Sequence, residues 1–236
     1  MSGHSKWASI KHQKAVTDAK RAGVFTKLAN GITVAARNGV DPTMNFQLRL
    51  AIDRARAANM PNANIDRAIA RASGAGAGQI VESLYEAYGP HGVAILIEIA
   101  TDNKNRALSE VKSLLTRHGG KLAGAGSVQY LFEKKGLITV AASNQNDDKT
   151  EMDIIDSGAD DYELSNNEYL IYTKPDHLES VKKNLEEKSY TITDAKLTWE
   201  PKQGISLDDE TSQKIVTLLS SLDELDDVTS VASNAG

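Results

Sequence analysis

The chain has 236 residues, a net charge of −5 and no cysteine. Without cysteine it can form no disulfide, thiolate zinc site or cysteine nucleophile, which fits a reducing compartment. No apolar run approaches the ~18–20 residues that span a bilayer, and Met1 leads into a polar segment with no signal sequence. We therefore expect a cytoplasmic protein with no membrane partner.

The two signs of charge are separated along the chain. Residues 1–75 hold twelve Lys and Arg and four Asp and Glu, a net charge of +8, whereas the remainder holds 15 basic and 28 acidic residues, a net charge of −13. A cationic end on an otherwise acidic chain indicates a site for a polyanion. The N-terminal part is therefore the first candidate for a functional surface.

The N-terminal part has the apolar spacing of helices. Stripes over residues 25–35, 48–55 and 65–72 predict three helices. Each is followed by a residue that ends a helix: Gly39, Pro61 and Gly74. Glycine and alanine then alternate over residues 74–78, which predicts a flexible joint and a first domain boundary.

Strand and helix patterns alternate beyond the joint. We predict strands at residues 84–89, 93–100 and 128–132, a helix over 108–115 and a turn at 134–136. Residues 136–203 then follow the order β-α-β-β-α-β, with a helix around Met152 and Ile155 and a hairpin at Asn166-Asn167, which is typical of a ferredoxin-like domain. A last helix over 215–222 and a strand over 228–232 are predicted to complete the sheet begun at residue 84.

These elements predict the α+β class and three domains. Residues 1–78 form a basic all-helical domain, residues 79–135 and 204–236 a discontinuous α/β domain, and residues 136–203 a ferredoxin-like α/β domain inserted into it. Insertion at an exposed turn is well tolerated physically.

The first residues interleave cations with one aromatic ring. Such a mixture suits a polyanion, because lysines release counterions from phosphates while a ring such as Trp7 can stack on a base. The alternative is that Trp7 and Ile10 pack inward and the lysines are solvated. The candidate contacts of this segment are Lys6, Trp7, Lys11, His12, Lys14, Lys20, Arg21 and Lys27.

Arginines extend this candidate surface along the second and third predicted helices. Arg49 and Arg56 lie seven residues apart and share a face, while Arg54 points roughly opposite. Arg67 and Arg71 project to solvent if Ile65 is buried. A helix-turn-helix with residues 62–73 as recognition helix is conceivable, although no strict sequence pattern defines that motif.

Motifs of catalysis are not found in the sequence. The five histidines lack the spacing of metal ligands, and no GxGxxG, phosphate-binding loop or GxSxG elbow occurs. We expect no metal or cofactor and a protein that is not an enzyme. The alternative is an enzyme that uses the glycines at 124–126 or the acidic residues at 223–227.

Several segments resemble signatures of the YebC family of transcriptional regulators, and the resemblance covers essentially the whole chain. They are Gly3–Lys14, Asp18–Arg21, Phe25–Leu28, Leu50–Pro61, Tyr85–Pro90, Thr101–Arg106, His118–Gly120 and Gly126–Phe132. The sequence departs from the family pattern at Asn30-Gly31, where a helix could bend, and at Phe46-Gln47, where one cation is missing.

The resemblance implies three domains, a cytoplasmic location and action on nucleic acid. Members are described as DNA-binding transcriptional regulators or, like the mitochondrial translational activator of cytochrome c oxidase, as factors acting at the ribosome. The leading hypothesis is therefore a DNA-binding transcriptional regulator, most simply a monomer. The alternative is a ribosome-associated translation factor that binds ribosomal RNA with the same cations.

Overall fold

The computed structural model describes residues 18–74, 79–142 and 147–236, with the side chains of 18–22 and 147 left out. Contacts within the chain divide it into two compact units, residues 1–133 with 200–236, and residues 134–199. The division is coarser than the three predicted domains, whose boundaries stay a prediction.

The α+β class is confirmed by eight strands and seven α-helices in the described residues. In chain order they are α1 (Asp18–Ala35), α2 (Phe46–Ala57), α3 (Asn62–Ala72), β1 (Val81–Tyr88), β2 (Ala94–Thr101), α4 (Lys104–Arg117), β3 (Lys121–Leu122), β4 (Phe132–Ala141), α5 (Asp147–Asp156), β5 (Asp161–Ser165), β6 (Glu168–Thr173), α6 (Leu178–Glu187), β7 (Ile192–Pro201), α7 (Asp209–Asp223) and β8 (Val228–Ser233).

The three predicted N-terminal helices are present. A short 3₁₀ turn follows α1 and ends at Gly39, whose φ of 135° is open to glycine and strained for other residues. The helices pack through the predicted apolar stripes, with Ile32, Leu48, Ile52 and Ile65 at most 5% exposed. Local periodicity therefore predicted this part well.

Asn30 and Gly31 lie inside α1, which continues through them to Ala35. The side-chain amide of Asn30 is buried and donates a hydrogen bond to the carbonyl of Ala100 in β2 at 3.0 Å. The departure from the family pattern thus supplies a link between helix and sheet.

The first unit contains an antiparallel sheet in the order β3-β1-β2-β8. Helices α4 and α7 cover one face, where Ile95, Ile97 and Ile99 of β2 join their apolar side chains. Leu96 and Ala100 on the alternate positions are also buried, and α1 lies against the same strand. The pairing of β8 with β2 confirms that the C-terminal residues return to complete this sheet.

The predicted strand at residues 128–132 is wrong. Residues Gln129–Leu131 form a 3₁₀ turn, and β4 begins only at Phe132. The backbone N–H groups of Val128 and Gln129 bind the carboxylate of Glu86 and so cannot join a strand ladder. The apolar run in the sequence gives no sign of this long-range partner.

The predicted turn at residues 134–136 is also wrong, because β4 continues through it to Ala141. Gly136 serves close packing here rather than a turn. A β-carbon at this position would come within 2.8 Å of Cγ2 of Thr173 on the neighbouring strand β6.

The second unit has the strand order β5-β6-β4-β7 and the helices α5 and α6, as a ferredoxin-like arrangement requires. Asn166 and Asn167 have φ values of 51° and 64°, which suit the tight hairpin between β5 and β6. The predicted helix around Met152 and Ile155 is present as α5, in which Met152 and Ile155 are exposed and Ile154 is buried.

Candidate nucleic-acid interface

The cations of the N-terminal part divide into those with described side chains and those without. Lys6, Trp7, Lys11, His12 and Lys14 lie outside the described residues. Lys20 and Arg21 belong to α1, but their side chains are not described. For this group the nucleic-acid contact stays a prediction.

Lys27 and Arg49 both have partners within the protein. The ammonium of Lys27 donates to the carbonyl of Asp223, the last residue of α7, where a cation favours the helix dipole. The guanidinium of Arg49 donates to the carbonyls of Pro42 at 2.5 Å and Thr43 at 3.1 Å. These contacts hold the fold, so both cations have a structural role in the free protein.

Arg56 and Arg67 are the exposed arginines of the predicted surface on α2 and α3. The guanidinium of Arg67 donates to the Ala63 carbonyl at 3.1 Å and to the side chain of Asn64, which fixes its direction along the helix. Arg54 and Arg71 are half-buried. With Ile65 buried, the prediction that Arg67 reaches solvent is confirmed, whereas Arg71, for which the same was predicted, is only partly exposed.

The solvent face of α3 is poor in side chains that read bases. Besides Arg67 it presents Asn62, Ala63, Asp66 and Ala70. Direct readout in a major groove needs several hydrogen-bonding side chains on one helix face, and alanines offer none. In the described part of the chain, the exposed hydrogen-bonding side chains of α3 are Asn62, Asp66 and Arg67, and its two exposed alanines leave only this small set for recognition of a sequence.

A surface loop in the first unit is held from beneath by a buried carboxylate. Glu86 of β1 is 4% exposed and accepts hydrogen bonds from the backbone N–H groups of Gly126 at 2.5 Å, Val128 at 2.6 Å and Gln129 at 2.9 Å. The hydroxyl of Tyr88, two residues along the same strand, donates to the Ser127 carbonyl at 3.1 Å. We call residues 124–131 the Glu86 loop.

Electrostatics favour the charged form of Glu86 despite its burial. Desolvation raises the pKa of this carboxyl, but the backbone N–H groups of residues 126–129 outweigh desolvation and leave the pKa below its ordinary value. The sequence shows Glu86 and the loop only as two separate family-like segments, 40 residues apart. The structure brings the two segments into contact.

A second charged contact joins two further segments of the same unit. Arg106 of α4 forms hydrogen bonds with both carboxylate oxygens of Asp227, the shortest 2.8 Å long, and a further bond with Asp102. Hydrogen bonding to Asp227, then to Asp102, raises the pKa of Arg106. The acidic residues at 223–227 thus include a partner for a structural arginine.

A cleft of about 540 Å³ opens between residues 89–92 and 119–121. Its backbone is used internally, because the N–H groups of Gly89, Gly92 and Gly120 each donate to a protein carbonyl. The cleft therefore lacks the row of open N–H groups with which a phosphate-binding loop holds its ligand.

Within residues 18–74, 79–142 and 147–236, no three His, Asp or Glu side chains are grouped as metal ligands would be. In the same residues no helix has the length and apolar character needed to cross a bilayer.

Comparison with known proteins identifies the class. Residues 5–75 match the family description "TACO1/YebC protein N-terminal domain", and residues 80–235 match "TACO1/YebC second and third domain". A crystal structure of a conserved hypothetical protein from Aquifex aeolicus is similar with a TM-score of 0.91 and 44% identity, and the match covers 98% of this chain and 97% of that one.

Curated relatives carry a regulatory name. A "Probable transcriptional regulatory protein" of Aquifex aeolicus is 45% identical over 237 residues, covering 99% of this chain and 95% of the relative. The "Probable transcriptional regulatory protein YrbC" of Bacillus subtilis is 42% identical, covering 99% of both chains. Fold and relatives define a class of α+β proteins named as regulators. The chain belongs to the TACO1/YebC family.

Proposed function

We propose that this protein regulates gene expression by binding the phosphate backbone of a nucleic acid with its cationic N-terminal part. The observation that carries the proposal is the net charge of +8 over residues 1–75 against −13 over the rest. Affinity from such a surface comes from counterion release and needs no base recognition. Its exposed, described members are Arg37, Arg56 and Arg67, of which Arg37 also donates to the carbonyl of Ile80.

Two features of the chain could have suggested an enzyme. The glycines at 124–126 belong to the Glu86 loop, and Asp227 of the acidic cluster pairs with Arg106. Both have structural roles. We therefore propose a regulator that is not an enzyme.

DNA is the leading candidate for the nucleic acid, because the relatives are named as transcriptional regulators. Ribosomal RNA is the second candidate, and the solvent face of α3 favours it. That face carries two alanines and Asp66 beside Asn62 and Arg67, so it offers few side chains for reading a promoter. We propose the cytoplasm as the compartment in which the protein meets either nucleic acid.

The salt dependence of binding tests the cationic surface. In the full-length protein, Lys6, Lys11 and Lys14 are replaced by glutamine, and affinity for DNA and for ribosomes is measured over a range of salt. Three lost phosphate contacts should flatten the slope of log affinity against log salt by about 2–3. A matched triple variant replaces Lys182, Lys183 and Lys214, which pair with glutamates on their own helices.

An equal slope in wild type, N-terminal variant and control would contradict the proposal. Sedimentation with ribosomes that survives nuclease removal of DNA would select the RNA form. Enrichment at defined promoters that survives dissociation of ribosomes would select the DNA form.

A further inference from the structure

Tyr130 stands out on the surface of the first unit. Its side chain is 64% exposed at the end of the Glu86 loop, inside the 3₁₀ turn Gln129–Leu131. In the described residues its hydroxyl makes no hydrogen bond with the protein. An aromatic ring left this open is not part of the core.

The backbone beneath Tyr130 is fixed from both sides. Glu86 binds the N–H of Gln129, the residue just before it. Lys202 contributes twice, because its ammonium donates to the Tyr130 carbonyl and its backbone N–H to the Leu131 carbonyl, both at 2.9 Å. A buried carboxylate is costly to desolvate, so its use beneath a surface loop indicates that the loop must keep one shape.

The surroundings of the ring indicate its partner. Gln129 and Lys202 beside it are exposed and polar, and glycines 124 and 126 leave room around the loop. In the described α/β part of this unit, Leu108 is the only other exposed large apolar residue. A protein interface would need several apolar neighbours around a central ring. One ring beside a cation is instead the arrangement that stacks on a nucleobase.

We propose that Tyr130 is a stacking site for an unpaired base of RNA, with Lys202 near the adjoining phosphate. The proposal rests on the nucleic-acid binding proposed above and selects its RNA form. A paired duplex keeps its bases stacked on each other, whereas RNA loops and bulges present bases that can stack on a side chain. The N-terminal cations then supply affinity, and the Glu86 loop supplies a preference for unpaired bases.

The experiment uses the full-length protein and a short RNA hairpin with one 2-aminopurine in its loop. Stacking on the ring should quench the fluorescence of this base when the protein binds. Tyr130→Phe keeps the ring and should keep the quenching. Tyr130→Ala should abolish it and weaken binding about 5- to 150-fold, with an unchanged salt slope. Leu108→Ala is the matched control and should behave as the wild type.

Three further arms make each outcome decisive. Unchanged quenching and affinity in Tyr130→Ala would overturn the inference and favour a protein as the partner of the ring. Equal loss of affinity of Tyr130→Ala for a fully paired RNA duplex would overturn stacking, and equal quenching of a 2-aminopurine in a DNA hairpin loop would overturn the choice of RNA. Failure of the wild type to bind any hairpin at low salt would overturn the proposed function as well. Binding that depends on Lys6, Lys11 and Lys14 but not on Tyr130 would overturn this inference alone.

Discussion

Glu86 shows at the scale of one residue how a charge can be stable when buried. Three short hydrogen bonds from backbone N–H groups replace the water that its carboxylate loses. Charged hydrogen bonds of this kind each contribute about 1.5–3 kcal/mol. The Glu86 loop depends on them, because its donors have no strand partner.

Replacing Glu86 by glutamine should destabilise the first unit by about 2–3 kcal/mol. The amide keeps one acceptor but turns N–H donors towards backbone donors, so at least one buried group loses its partner. Chemical denaturation would measure the loss. Glu82→Gln at the exposed start of the same strand is the control and should change stability by less than about 0.5 kcal/mol. Equal stabilities of the two variants would contradict this role of Glu86.

Acidification should remove the same contribution. The pKa of Glu86 is lower in the folded protein than its ordinary value of 4.5, so the folded state holds its proton less tightly than the unfolded state. Its stabilising effect is therefore complete above pH ~4.5 and is lost as pH falls through the folded pKa. The stability difference between wild type and Glu86→Gln should shrink over that range. A difference that stays constant down to acid unfolding would rule out this linkage.

At the scale of helices and strands, an element is predicted correctly when the contacts that determine it are close along the chain. The three N-terminal helices follow from spacing within each helix and from stops such as Gly39 and Gly74. Residues 128–132 look like a strand, yet their donors are bound by a side chain of β1 about 40 residues earlier. The local sequence pattern of these residues contains no information about such a distant contact.

The candidate site shows the same limit. A count of cations predicts a basic surface, but it cannot tell that Lys27 binds the end of α7 or that Arg49 fixes a loop. Exposure separates Arg56 and Arg67 from these structural cations. The sequence also misses the exposure of Tyr130, because an aromatic residue in an apolar run is predicted to be buried.

Replacing either of two glycines in regular elements by alanine should change the stability of the protein, but in opposite directions. Gly31 lies in α1, and no atom lies within 4 Å of the position that an added β-carbon would take, so Gly31→Ala should stabilise by about 0.5–1 kcal/mol. At Gly136 the new carbon would meet Thr173 at 2.8 Å and Leu178 at 3.0 Å, so Gly136→Ala should cost about 1–3 kcal/mol. Thermal melts of both variants measure this. The same sign of change in both would refute the packing argument.

The whole molecule is organised by the way the chain enters and leaves the second unit. Residues 134–199 form that unit, and the chain before and after them belongs to the first. The backbone N–H of Lys202 donates to the carbonyl of Leu131 at 2.9 Å, so the two connecting segments meet at hydrogen-bond distance. A segment whose ends lie together can be inserted or removed with little strain on its host.

Residues 132–201, which contain β4 and β7 in full, should therefore fold alone as a ferredoxin-like domain. Their sheet order β5-β6-β4-β7 is complete within the segment, and both helices come with it. In the remainder, a short glycine linker from Leu131 to Lys202 should leave β8 paired with β2, because that pairing uses no residue of the segment. Cooperative thermal unfolding of both pieces, with helix and strand signals lost together, is the expected result. If the isolated segment melts without cooperativity while the linked remainder stays folded, the second unit depends on its host and the insertion is not an independent domain.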